Sequence, residues 1–572
     1  MEEKIGEVLR ARLQSARDHD TFEVNIFMAG EPADAAPGFT DAEAVALDAD
    51  AVVGSLQGMA AERQRDVLGF LTGFGGADGF TDAEVAVAVP KVSAVQSFWI
   101  NNTVGAEVTG DVLTSLLERP DVVHVELTQR ADISELVDGA RKSSRGAKAY
   151  GAKARGGKKE HESSARKSSG KKRVSDEGAG SLAAAVGARD FDVLDFVKSG
   201  STLAAFTDED ITDAVQPTWS VKRVNAPLLW QESIGLNGDG VVVAVIDTGV
   251  NYDHPDLKNR MWDGSGAGFP NHGFDFDSND NDPHDAGPEA GHGTACAGIV
   301  AGDGTSGKQT GVAPGARVMA LRLGGEEQKY WRALEFAIER GAHVVSMSIT
   351  WKNQKSPNYP AWRRVCESLL AARILHANST GNQGTSSTSG PLKIPFNIGA
   401  PGNCPPPRLH PLQAAPVGPD PHLSSAVSCG STDEADRLRD NSGRGPSAWE
   451  KAPYVDFPFE SGAKPGLIKP DVCAPGSATD SCNFRFEQEG KPYITFSGTS
   501  AATPHLAGCM ALLVQACRRS GNPVIPARVQ EALENTAVRI QGQALDKEIN
   551  FGAGRVDVFS AFKYGKARGW WG

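Results

Sequence analysis

Four polar residues stand where regular backbone would begin or end, and their types together suit acyl transfer. Ser500 lies in "FSGTSAATPHLAG" (496–508), between Gly498 and a long apolar run. A serine hydroxyl attacks a carbonyl when a base takes its proton, an acid orients that base and donors receive the oxyanion. His292, in "GHGTACAGIVAG" (291–302), sits between two glycines at the start of a small-residue helix and offers an imidazole as base. Asp247 closes the β-branched run "VVVAVIDTGV" (241–250), and Asn382 follows a strand in "RILHANSTGNQG" (373–384). An asparagine amide at such a turn can donate to a developing oxyanion. Each residue also has an ordinary reading: a helix N-cap for Ser500, a core or surface histidine, a structural acid, a turn asparagine. The chain order Asp…His…Ser is one of the known orders of a serine triad.

Elements must bring these residues together. The run ending at Asp247 reads as a central parallel strand buried on both faces, and open α/β sheets place their ligands at such carboxyl ends. Strands and helices alternate from about Trp219 to the end, which predicts a parallel sheet wrapped by helices. Pro504 fits a first-turn proline of the helix that follows Ser500. Upstream, strand-like "VNIFMAG" (23–29), helical "AERQRDVLGFLTGF" (61–74), two strands in 92–108 that turn at Asn101 and Asn102, helical 109–120 and alternating "DVVHVEL" (121–127) give the order β-α-β-β-α-β. That order suggests a small ferredoxin-like domain.

The 572 residues are long for one core, and the net charge of −13 argues against a nucleic-acid partner. Residues 141–173 carry 13 Lys or Arg against 2 Glu and read as a solvated basic linker, with a tether docking on an acidic surface as the sharper alternative. "GFTDAE" recurs at 38–43 and 79–84, a duplicated loop and helix start given no function. No membrane span is expected, and the charged stretch "MEEKIGEVLRARLQSARDHD" is no secretory signal peptide, so a cytoplasmic protein or non-classical export is expected. The eight cysteines fall between Cys296 and Cys517; free thiols fit a leaderless chain, and disulfides stay open.

Residues 219–560 resemble the subtilisin-like serine peptidases (subtilases). "VAVIDTGV", "HPDL", "GHGTACAG", "GVAPGA", "SMSIT", "TGNQG", "KPDVCAPG" and "SGTSAATPHLAG" follow one another in that family's order. Residues 23–130 resemble its inhibitory, chaperone-like prodomain. The resemblance implies an α/β, subtilisin-like three-layer fold with a central parallel sheet, preceded by a small ferredoxin-like α+β prodomain. The expected layout is a helical extension (1–20), prodomain (21–137), basic linker (138–178), connecting segment (179–218) and catalytic domain (219–572). It further implies that Asp247 orients His292, that His292 deprotonates Ser500, and that the Asn382 side chain and the Ser500 N–H hold the oxyanion. Residues 346–350, among them Ser348, Ile349 and Thr350, would pair with the substrate backbone as an added strand. Gly381 would line the pocket for the residue before the scissile bond. Ala295 and Ala501 stand where the family usually has His and Met. Thr350 replaces a pocket-edge glycine, which would narrow the entrance.

The expected function is therefore a serine endopeptidase acting on proteins or peptides. It would be a monomer made as a self-inhibited precursor, with its own N-terminal prodomain as inhibitor. The prodomain would cover the sheet-side groove, its tail "TQRADISEL" (128–136) would cross the active site, and cleavage would fall near 128–140 or 210–218. Rivals are an inactive protein-binding scaffold and a peptide ligase or macrocyclase on the same fold. The chemistry requires no cofactor. "DFDSNDNDPHD" (275–285) offers hard oxygen ligands suited to calcium at Asp275, Asp280 and Asp282, against the reading of a polar surface loop. Asp256 matches another calcium position of the family, although its partner loop (302–312) is altered. Cys296, one turn after His292, reads as a packing residue, with a thiol-sensitive site as the alternative.

Overall fold

A four-stranded antiparallel sheet forms first along the chain. The computed structural model describes residues 4–17, 20–29, 49–73, 91–131, 215–385, 392–407, 423–451 and 454–572. The basic linker, most of the connecting segment, both "GFTDAE" copies and the tail from residue 132 lie outside the described residues. A short helix, α1 (Glu7–Leu13), precedes β1 (Thr21–Met28), α2 (Ala49–Thr72), β2 (Val92–Phe98), β3 (Thr103–Thr109), α3 (Gly110–Glu118) and β4 (Val122–Leu127). The sheet order is β2-β3-β1-β4 with antiparallel pairs, as the β-α-β-β-α-β pattern predicts. The turn at Asn101 and Asn102 forms, with Asn102 at positive φ. Leu9 of α1 is buried with Val24, Leu113 and Val125, so residues expected as an extension share this domain's core.

The larger domain is built on a seven-stranded sheet. Along the chain come β5 (Val242–Asp247), β6 (Gly273–Asp275), α4 (His292–Ala301), β7 (Arg317–Arg322), α5 (Glu327–Glu339) and β8 (Val344–Met347). α6 (Tyr359–Ala371), β9 (Leu375–Ser379), β10 (Val427–Thr432), β11 (Val472–Pro475) and α7 (Thr499–Arg519) follow. The strand order is β11-β10-β9-β8-β5-β7-β6, all parallel.

β5 shows why three layers result. Successive side chains of a strand point to opposite faces. Val243 and Val245 join the cluster containing Ile299 of α4 and Leu506 of α7. Ala244 and Ile246 join the cluster of Tyr330 and Trp331 on α5 and Trp362 on α6. A strand buried on both faces has no polar side, which is why its sequence runs apolar without alternation.

The N-terminal domain packs on α5 and α6. Phe98 meets Trp331 edge to face with centroids 5.6 Å apart. Trp99 Nε1 donates to Glu339 Oε1 at 2.9 Å, the Ile100 N–H to Glu335 Oε1 at 3.1 Å, and Ser368 Oγ to the Ile100 carbonyl at 2.7 Å. The domain body thus rests on helices, whereas the expectation placed it over the sheet-side groove. Its outgoing chain pairs with the segment before α5: the Glu327 N–H donates to Gln129 O at 3.1 Å and the Ala131 N–H to Gly325 O at 2.7 Å.

Candidate active site

Asp247, His292 and Ser500 each stand at an element end, and three different elements bring them together. Asp247 is the last residue of β5, His292 the first of α4 and Ser500 the second of α7. α4 lies close against the end of β5 because Gly293 has no side chain. A Cβ there would collide with the Gly249 carbonyl and stand 3.0 Å from Asp247 Cβ. The Gly293 N–H donates to Thr248 Oγ1 at 2.9 Å, and Thr248 Oγ1 donates to Asp285 Oδ1 at 2.8 Å. Asp285 also accepts from the Thr294 N–H and hydroxyl, so one acid locks the first turn of α4 to the strand end. Burial raises the Asp285 pKa, against these donors.

His292 Nδ1 and Asp247 Oδ1 are 2.7 Å apart, and the Thr248 N–H donates to the same oxygen at 2.8 Å. Because a carboxylate accepts, Nδ1 carries the proton and Nε2 is the ring atom left to act as base. Nε2 has no hydrogen-bond partner among the described residues. Burial opposes the imidazolium. The charge and hydrogen bond of Asp247, with Asp285 and Glu289 behind, outweigh that and raise the pKa above the ordinary histidine value. Phe496 stands edge-on to the imidazole at 5.3 Å.

Ser500 is not an N-cap, since Gly498 holds that position and the helix starts at Thr499. Pro504 is accordingly the sixth helical residue, beyond the first turn where the sequence placed it. Its missing N–H would have bonded the Ser500 carbonyl, four residues back. That carbonyl instead accepts from Ser348 Oγ at 3.0 Å and faces Cys296 Sγ at 3.6 Å. The same sulfur lies 3.9 Å from His292 Nδ1, so a single thiol touches both the histidine and the serine residue. In this resting arrangement Ser500 Oγ donates to Ser348 O at 3.4 Å and makes no hydrogen bond to His292. Catalytic hydrogen bonds often close only when substrate is bound.

Asn382 Oδ1 accepts from the Thr499 N–H at 3.0 Å and from Thr499 Oγ1 at 3.2 Å. This ties the amide to the residue before Ser500. Ser348, Ile349 and Thr350 continue past the end of β8. Asn378 Nδ2 holds this exit by donating to Met347 O at 2.9 Å and Ile349 O at 3.1 Å. The sequence reading missed Asn378 and Asp285, whose partners Met347, Ile349 and Thr248 are far away in the chain. It also missed Lys352, whose amine donates to Thr350 Oγ1. A lone lysine within the apolar stretch "SITWK" was the available signal. These side chains are buried: Asp247 is 0%, His292 1%, Ser500 2% and Thr350 0% exposed.

The acidic loop does not gather into the expected calcium cage. Asp275 pairs with Arg322 and takes the Asp277 and Ser278 N–H groups. Asp280 accepts from the Asp282 N–H, and Asp282 from the Tyr252 hydroxyl. Asp256 accepts from the Ser306 N–H at 2.8 Å and the Tyr493 hydroxyl at 2.8 Å, one on each oxygen. A guanidinium on Asp275 opposes a cation there, so the set Asp275, Asp280 and Asp282 does not fit calcium. Among the described residues, three such side chains come within ligating distance only at Asp247, His292 and Cys296. All eight cysteines are free and buried. Burial first, then the Asp247 charge, push the Cys296 thiol well above its ordinary pKa, which keeps it protonated and unreactive. No helix among the described residues is long and apolar enough to cross a membrane.

Residues 238–554 match the model of the Subtilase family, peptidase S8. Thermitase of Thermoactinomyces vulgaris is 29% identical over 356 residues, covering 60% of this chain and 95% of its own. Subtilisin BL of Lederbergia lenta is 29% identical over 349 residues, 60% of this chain and 97% of its own. Bacillopeptidase F of Bacillus subtilis is 29% identical over 391 residues, 63% of this chain and 23% of its own.

Proposed function

The chain belongs to the subtilase family, and from that premise we propose that it is a serine endopeptidase working through Asp247, His292 and Ser500 and held latent by its N-terminal domain. The observation that carries this is the buried 2.7 Å contact between His292 Nδ1 and Asp247, which supports Nε2 as the base. For catalysis the Ser500 hydroxyl leaves Ser348 O and turns to that nitrogen as substrate binds. Oγ then attacks a peptide carbonyl while Nε2 takes its proton. Negative charge builds on the carbonyl oxygen, where the Asn382 amide and the Ser500 N–H donate. That N–H is among the first of a helix and has no acceptor within it. The imidazolium, steadied by Asp247, returns its proton to the leaving amine. Water then releases the acyl group by the same relay.

Latency is supported by the buried triad and by the N-terminal domain docked on α5 and α6, with its outgoing chain paired to Gly325 and Glu327. A fluorophosphonate probe should label the active wild-type protein and leave Ser500→Ala unlabelled. Equal labelling of both would remove Ser500 as nucleophile, and labelling of neither would favour an inactive scaffold. Mass analysis of the peptide products separates hydrolysis from peptide joining.

A further inference from the structure

We propose that Lys352 makes this site select substrates with an acidic residue immediately before the scissile bond; the inference rests on the peptidase reading above. Gly381 directly precedes the oxyanion residue Asn382. Gly381 is at φ +87°, and a Cβ there would collide with the Lys352 amine. The same point lies 2.9 Å from Gln383 Oε1 and 3.1 Å from Thr350 Oγ1. Polar atoms from two strand exits therefore converge on one spot beside the oxyanion residue, and a lysine amine is among them.

The amine is held there by the fold. Trp351 pairs with Ala400 through two backbone bonds, of 2.8 and 2.9 Å, which fixes the chain between Thr350 and Lys352. Lys352 itself is buried, and its amine donates to Thr350 Oγ1. The attacked carbonyl belongs to the residue on the acyl side of the scissile bond. By the resemblance to the subtilases, Gly381, next to Asn382, lines the pocket that takes the side chain of that residue. A carboxylate arriving there meets a fixed ammonium in a water-poor setting, where a charge-assisted hydrogen bond is strong. An amide of equal shape gains less, and an apolar side chain sets carbon against the charge. The narrowing expected from Thr350 is thus a secondary effect: its hydroxyl positions the cation.

The test uses the full-length protein brought to constant activity and peptides differing only in the residue before the cleaved bond: Glu, Gln, Leu and Phe. kcat/KM should favour Glu over Gln at least tenfold. Lys352→Met should bring that ratio within threefold, and Lys352→Arg should retain a preference for Glu. A wild-type enzyme that cuts after Gln, Leu or Phe as well as after Glu overturns the proposal, and so does an unchanged ratio in a Lys352→Met protein that still takes the fluorophosphonate. If Lys352→Met does not fold, the wild-type ratio alone decides. Labelling without turnover of the Glu peptide overturns this proposal and leaves the peptidase reading standing. Absence of both labelling and turnover sinks the two together.

Discussion

At His292 one proton decides between a base and a bystander. Asp247 Oδ1 keeps that proton on Nδ1, so Asp247→Asn, which presents an amide in its place, should lower kcat about 10⁴-fold while leaving the fold intact. The pH profile follows with a definite sign. The raised pKa means that the imidazole stays protonated to higher pH than an ordinary histidine, and only its neutral form accepts the Ser500 proton. Activity should therefore climb as pH rises through a value above 6.5, the ordinary histidine pKa. An inflection below that value in kcat/KM would contradict the Asp247–His292 pairing. Asn382 makes a separate contribution. Its Oδ1 is tied to Thr499, which sets the amide plane beside Ser500, and Asn382→Ala should cost roughly 10²–10³ in kcat with little change in KM. A loss confined to KM would show that Asn382 only binds substrate.

At the scale of elements, α5 carries the docking of the N-terminal domain. Glu335 accepts the Ile100 N–H and an Arg332 bond at 2.8 Å from beneath that domain. Burial, against these donors, pushes its carboxyl up to about 7 from 4.5. A carboxyl that holds its proton more tightly when covered stabilises the covered state below about pH 4.5, and that contribution is lost as pH rises through about 7. With the Lys/Arg-rich stretch nicked by trypsin, the N-terminal fragment should co-elute with the rest at pH 5.5 and bind about tenfold more weakly at pH 8. Glu335→Gln should flatten the difference; a wild-type fragment held equally at both pH values would show that Glu335 does not govern docking. Elements were also the part most legible in sequence. The unbroken β-branched run before Asp247 meant a strand buried on both sides, and Val243 and Ala244 do face opposite clusters. Asp247, His292 and Asn382 stand out in the sequence because each is beside glycine or at a strand end, and Ser500 because it lies two residues after Gly498 and ahead of an apolar run. Lys352 was not, since its place depends on Trp351 pairing with Ala400, a contact that no local pattern contains. The acidic loop misled for the same reason: Arg322, which pairs with Asp275, is distant in sequence. Pro504 was assigned to a first turn because the true helix start, Thr499, is fixed by tertiary contacts around Gly498 and Asn382.

For the molecule as a whole, the proposed latency reads a buried triad and a docked N-terminal domain as the state of the chain before it is cut. The domain hands its backbone to the Gly325–Glu327 segment, and Ala131 is its last described residue. The sequence continues with Asp132, Glu135 and Asp138, and acidic residues recur at Asp210 and Asp213 ahead of the catalytic domain. The intervening stretch, 141–173, is dominated by Lys and Arg. On the proposed preference, an ammonium beside Gly381 would repel basic side chains at the position before the cut, so the Lys/Arg-rich sequence would be a poor substrate for the enzyme itself while offering residue types that trypsin-like proteases cut after. Purified wild-type protein should therefore show a lag before activity, during which it cuts itself behind an acidic residue in 132–138 or 208–213. Ser500→Ala should stay whole under the same conditions. N-terminal sequencing of the fragments reads the position directly. A fully active uncut chain would end the latency argument, and self-cleavage behind lysine or arginine within 141–173 would contradict the charge preference that Lys352 is held to impose.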